Sequence, residues 1–145
     1  MNNSVASPGA LLDTCALIWI ANGEDLRPGA DTGIMAATRE KGLFISPVSA
    51  WEIGLLSRPR LRAAYQFLPD PVTWLANFMA RPAILSAPLT PEIAIAASWL
   101  PDPLHRDPAD RLLIATARHL GVPIVTRDAK IIDYAAAGHV AVIPC

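Results

Sequence analysis

Two cysteines, Cys15 and Cys145, are all that the 145 residues contain, too few for the disulfide framework of a small secreted domain. No apolar run approaches the ~20 residues of a membrane-spanning helix; the longest clean stretch near the start covers residues 16–21. The opening Met1-Asn2-Asn3-Ser4 lacks the basic region and apolar stretch of a secretory signal. We therefore expect a cytoplasmic protein without membrane association. Neither charge is in excess: 12 basic residues face 13 acidic ones. That balance excludes nucleic-acid binding by bulk positive charge but leaves a local site open. With 52% apolar and 17% charged residues, the composition is not that of a disordered chain. Lysine is scarce, two against ten arginines. Arginine grips phosphate bidentately, although a compositional bias of the source genome explains the ratio equally well.

The length suits one domain that buries roughly 70% of its unfolded surface. Residues 1–8 read as a polar tail and residues 9–145 as a single domain. The 14 prolines act as punctuation. Ser46-Pro47, Asp70-Pro71, Thr90-Pro91 and Asp107-Pro108 each pair a capping side chain with proline at the first helical position, a helix-start signal. Gly42, Gly121 and Gly138 end helical patterns ahead of short β-prone runs at residues 43–46, 122–126 and 140–143. Runs at 10–13 and 83–86 bring the expected strands to about five. They are apolar on both alternating sets, as in strands covered on both faces, and they alternate with helices. The expected fold is α/β: a three-layer α/β/α sandwich around a short parallel sheet. Residues 58–69 read as an irregular or short helical connection.

The informative residues are acids set among apolar neighbours. Asp13 is the only charge in ALLDTCALIWIANG, where the first strand gives way to a helix. Glu52 is the only charge in LFISPVSAWEIGLLS, whose helix is apolar nearly all round and so expected to be buried. Asp110 heads the helical row Leu113, Ile114 and Ala117; the opposite row, Arg111, Ala115 and Arg118, is expected to face solvent. Asp128 follows the strand that ends at Thr126. Asp13 alone is equally well a helix cap, Asp107 is well placed as an N-cap, and Asp110 would complement a helix dipole. A lone mid-helix carboxylate such as Glu52 must raise its pKa or find a cation.

Asp13, Asp110 and Asp128 all fall on one rim of the expected sheet, where such folds place ligands. Carboxylates converging there require neutralisation. Without His or Cys in the set, a hard ion such as Mg²⁺ or Mn²⁺ fits better than Zn²⁺. Such a site suits phosphodiester hydrolysis, because the ion acidifies an attacking water and shields charge on the phosphate. An aspartyl-phosphate phosphatase would also set an Asp at a strand end, but it needs a second acid where Cys15 stands. A receiver-like domain needs a suitably placed lysine, and only Lys41 and Lys130 exist. A catalytically idle binding module would have no reason to retain four mutually repelling acids.

LLDTCALIWI, SPVSAWEIGLL and DPADRLLIATARHLGVPIVTRD, in that order, resemble the PIN-domain family, and more narrowly its VapC-type ribonuclease toxins. The resemblance runs from about residue 10 to 143. It implies an α/β/α sandwich, an acidic site binding Mg²⁺ or Mn²⁺, and endoribonuclease activity, commonly on tRNA or rRNA. It also implies inhibition by a VapB-type antitoxin and pairing into homodimers. By motif, the family's acids fall on Asp13, Glu52, Asp110 and Asp128, with Thr126, Thr14 and Asp107 in support. Many relatives follow the W-E helix with a basic residue and a Gly-Lys turn; here Arg58-Pro59-Arg60 stands instead.

Arg127, beside Asp128, is the arginine best placed to contact an RNA phosphate. Trp19 and Trp51 lie in apolar helices and are assigned to the core or to a partner groove. Cys15 reads as a small buried residue. His105, His119 and His139 are scattered and carry no assigned chemistry.

Overall fold

A computed structural model describes residues 9–59, 66–103 and 106–145. The expected tail over residues 1–8, along with Arg60 and His105, lies outside the described residues. Five three-residue strands form one sheet: β1 (Ala10–Leu12), β2 (Leu43–Ile45), β3 (Ile84–Ser86), β4 (Ile124–Thr126) and β5 (Val142–Pro144). Every pairing is parallel, in the order β3-β2-β1-β4-β5. Helices α1 (Thr14–Asn22) and α2 (Ala30–Glu40) lead from β1 to β2, and α3 (Pro47–Leu56) and α4 (Pro71–Met79) from β2 to β3. Helices α5 (Pro91–Ser98) and α6 (Pro108–Leu120) lead from β3 to β4, and α7 (Ala129–Ala136) from β4 to β5.

The layers follow from strand alternation, which sends successive side chains to opposite faces. Leu11, Phe44 and Ile124 pack with residues of α5, α6 and α7. Their neighbours Leu12, Ile45 and Val125 pack with residues of α1, α2 and α4 on the other face. The three central strands are buried throughout, and the edge strands β3 and β5 only partly. Pro144 sits on an edge, where a missing N–H is tolerated. The last strand lies two residues beyond the expected start, because Ile124 pairs with Val142 and donates to the Ala141 carbonyl at 2.9 Å.

All four expected helix starts are present. The side chains of Ser46, Asp70, Thr90 and Asp107 accept from the N–H groups of Val48, Thr73, Ile93 and Ala109 at 2.9–3.2 Å. Two burial expectations are corrected. Helix α3 is not buried all round: Val48, Ser49 and Ile53 are covered, whereas Trp51 is 62% exposed. The helix packs against α1, α4 and α6, and among the described residues nothing covers Trp51, so Trp51 is not a core residue. The second concerns α6. Ala115 is buried, because α5 lies over the side expected to face solvent. Arg111 there donates through Nε and Nη2 to the carbonyls of Ala97 and Ser98, both at 2.9 Å, satisfying acceptors that the end of α5 leaves unpaired.

Gly42, just ahead of β2, has φ +135°, and a Cβ there would stand 2.5 Å from the Ala83 carbonyl oxygen. That oxygen accepts the Leu43 N–H at 2.8 Å and so ties β2 to the approach of β3. Gly42→Ala is expected to destabilise the fold by about 1–3 kcal/mol in urea denaturation. Gly23→Ala, left-handed at φ +69° with nothing within 4 Å, should cost less. Equal losses in the two variants would show that the close approach carries no weight.

Candidate active site

The chain leaves β1 towards β2 and β3, then returns to lay β4 against the other side of β1. Between the carboxyl ends of β1 and β4 the helices diverge, and a crevice opens at this switch point. Asp13 follows β1 and Asp128 follows β4 by two residues, so both acids stand at its floor. Asp13 is only 7% exposed. It is the N-cap of α1, with Oδ1 accepting from the Ala16 N–H at 2.8 Å. Its Oδ2 accepts from the Thr126 hydroxyl at 2.5 Å, and the Thr126 oxygen accepts from the Asp128 N–H at 3.0 Å. The cap reading and the site reading of Asp13 therefore describe the same side chain. Asp128 caps α7 in turn, through Oδ1 to the Lys130 and Ile131 N–H groups.

Glu52 reaches the crevice from α3. The Thr14 hydroxyl donates to its Oε1 at 2.6 Å and lies 3.1 Å from the Ser49 oxygen. Asp107 caps α6 with Oδ1 on the N–H groups of Ala109 and Asp110, which sets Asp110 in the first turn. The four acids and Asp107 line one cleft of about 360 Å³, together with Thr14, Cys15, Trp19, Leu113 and Arg127. Thr126 supports the floor from beneath and is fully buried.

Burial is the largest cause raising the Asp110 pKa to about 7, followed by the charges of Asp107, Asp128, Glu52 and Asp13. Asp13 is also raised, chiefly by burial, with Asp128 and Glu52 adding to it and the bonds from Thr126 and Ala16 opposing it. Cys15, expected to be buried, is exposed beside the cleft. Its thiol is nonetheless shielded enough that burial leads in raising its pKa to about 11, helped by the same four acids. At neutral pH that thiol is protonated and a poor nucleophile.

No three His, Cys, Asp or Glu groups among the described residues stand close enough to form a ready-made metal cage. Mg²⁺, however, keeps several of its waters and is commonly held through one or two carboxylates. An all-oxygen set in which the pKa values of Asp13 and Asp110 are raised by burial and by the neighbouring carboxylates fits that ion class. Ser49 and Trp19 belong to the neighbourhood of the site and were not assigned to it from sequence. Ser49 carried a usable signal, being a polar residue one turn before Glu52 in an otherwise apolar helix.

A family model for the PIN domain matches residues 10–137. The chain belongs to the PIN-domain family. It is 31% identical over 123 residues to Ribonuclease VapC22 of Mycobacterium tuberculosis, spanning 83% of this chain and 88% of that relative. The fold of this PIN domain is similar to that in solved VapBC2 of Rickettsia felis bound to a DNA fragment from its promoter. That match has a TM-score of 0.60 at 14% identity and covers 92% of this chain and 96% of the other. It is also similar to M. tuberculosis VapC20, described as a Sarcin-Ricin loop cleaving toxin. Here the TM-score is 0.59 at 23% identity, with 94% of this chain and 100% of the other covered.

The pKa of Asp110 has a consequence for stability. In the metal-free PIN domain Asp110 titrates near 7, against 3.8 for an ordinary aspartate. Between those values the folded state holds a proton that the unfolded state has released, so stability falls as pH rises across that window. With a chelator present, wild type should lose melting temperature relative to Asp110→Asn from about pH 4 to 7. A difference between the two proteins that does not change with pH would contradict the raised pKa.

Proposed function

We propose that the chain is a metal-dependent endoribonuclease that hydrolyses RNA phosphodiester bonds and acts as the toxin of a type II toxin–antitoxin pair. The observation that carries this reading is the meeting of Asp13, Glu52, Asp110 and Asp128 in one cleft at the sheet's switch point. The identity to a ribonuclease across most of the chain supports it. Asp13, Asp110 and Asp128, with Glu52, would hold Mg²⁺ or Mn²⁺. Bound there, the ion acidifies an attacking water and shields the charge that accumulates on the phosphate. Thr126 orients Asp13, Thr14 orients Glu52, and Asp107 fixes the first turn that presents Asp110. Arg127 is assigned to an RNA phosphate. An idle binding module of the same fold would gain by shedding Glu52 and Asp110, which cap no helix and add to the repulsion, so their presence favours the enzyme.

The partners we assign are a tRNA or rRNA substrate, a VapB-type antitoxin and a second copy of the chain, all in the cytoplasm. No helix among the described residues is long and apolar enough to cross a membrane. Trp99 and Val72 are 82% and 80% exposed, which adds apolar surface of the kind that partner proteins cover.

Asp13→Asn keeps an acceptor for the Ala16 N–H but removes the charge, so it should fold while RNA cleavage drops to background. A chelator should do the same to the wild type. Full ribonuclease activity in a homogeneous Asp13→Asn preparation would refute the assignment. Millimolar Mn²⁺ should raise the melting temperature of the wild type by mass action, and an unchanged melting curve would count against a metal site. Mapping cut sites in total RNA after brief expression, beside Asp128→Asn, would identify the substrate.

A further inference from the structure

Among the described residues Arg127 is the one basic side chain lining the acidic cleft, yet its bonds do not go to the acids. Its Nε donates to the Cys145 carbonyl at 3.0 Å. Its guanidinium carbon lies 3.8 Å from the centre of the Trp19 ring. Among the described residues its hydrogen bonds and ring contacts go to these two groups and not to Asp13, Glu52, Asp110 or Asp128. An arginine beside several carboxylates in a partly desolvated cleft has a strong incentive to pair with them. Two anchors from different elements oppose that movement. Trp19 belongs to α1 and packs against the core. The backbone of Cys145 is tied to β4 through its N–H on the Thr126 carbonyl at 2.9 Å.

With Nε engaged and one face against the indole, the guanidinium keeps its two terminal nitrogens, an edge that matches two phosphate oxygens. We infer that Trp19 and the Cys145 carbonyl hold Arg127 off the acids as a preset clamp for an RNA phosphate flanking the scissile one. This inference rests on the nuclease reading of the same cleft. Trp19 is then a positioning residue. The arginine stays open to an anion, because the indole and the Cys145 carbonyl hold it off the carboxylates.

The test uses a single-stranded RNA oligonucleotide carrying a mapped cut site and four variants: Trp19→Leu, Trp19→Phe, Arg127→Gln and the Trp19→Leu/Arg127→Gln double. Trp19→Leu and Arg127→Gln should each raise KM on the order of tenfold with little change in kcat. Each should also flatten the salt dependence of KM by about one phosphate contact. Trp19→Phe, which keeps a ring for the stack and for packing, should stay near wild type and covers the case where the leucine variant fails to fold. A second measurement needs no turnover: Mn²⁺ affinity from melting curves. It should weaken in Trp19→Leu, where the released arginine competes for the acids, and recover in the double variant. The clamp is overturned if Trp19→Leu leaves KM, salt slope and Mn²⁺ affinity unchanged, or if its weaker Mn²⁺ affinity persists in the double. A wild type that cleaves no RNA would instead end the nuclease reading, and the Mn²⁺ comparison would still decide the clamp.

Discussion

A carboxylate taken out of water must be paid in hydrogen bonds or neutralised, and Asp13 sets that condition for the whole site. Both of its oxygens are engaged, one by the start of α1 and one by Thr126. Thr126 passes the connection on to the Asp128 backbone. Residues 113 positions apart in the chain thus form one hydrogen-bonded unit across β1 and β4, the two strands between which the sheet changes direction. Helix α6 delivers Asp110 to this unit through its Asp107 cap, and α3 delivers Glu52 through Thr14. The arrangement is rigid where it contacts the sheet and under electrostatic tension where it faces the cleft.

That tension is part of the chemistry. Asp110 and Asp13 hold protons more tightly than ordinary aspartates because each is shielded from water and surrounded by its own kind. Hydrogen bonds from Thr126 and Ala16 relieve Asp13 only in part. The divalent cation proposed for the site would relieve several carboxylates at once.

Much of this was legible in the residues. Strands apolar on both sets meant a sheet covered on two faces, and Ser46, Asp70, Thr90 and Asp107, each before a proline, marked helix starts. Asp13 and Glu52 stood out as lone charges in apolar stretches, Asp110 as the head of an apolar helical row and Asp128 by its place after a strand, signals that survive without any knowledge of contacts. What escaped was set by neighbours that hydropathy does not encode. Trp51 is as apolar as its helix, but nothing among the described residues of this chain covers that face. Ala115 and Arg111 read as outward until α5 closes over them. Cys15 looks like a core residue and faces the cleft. The stack of Arg127 on Trp19 joins residues from opposite ends of the chain, and neither sequence window contains the other.

Three of the aspartates hold a second post, since Asp13, Asp107 and Asp128 each terminate a helix. A lineage that had lost its chemistry would still be selected to keep them, because dropping a cap weakens the fold. Their survival in a distant cousin is therefore poor testimony to function. Glu52 and Asp110 begin no helix. They would be the first to drift once selection for catalysis relaxed, and their presence or loss is the better guide to whether such a relative still works.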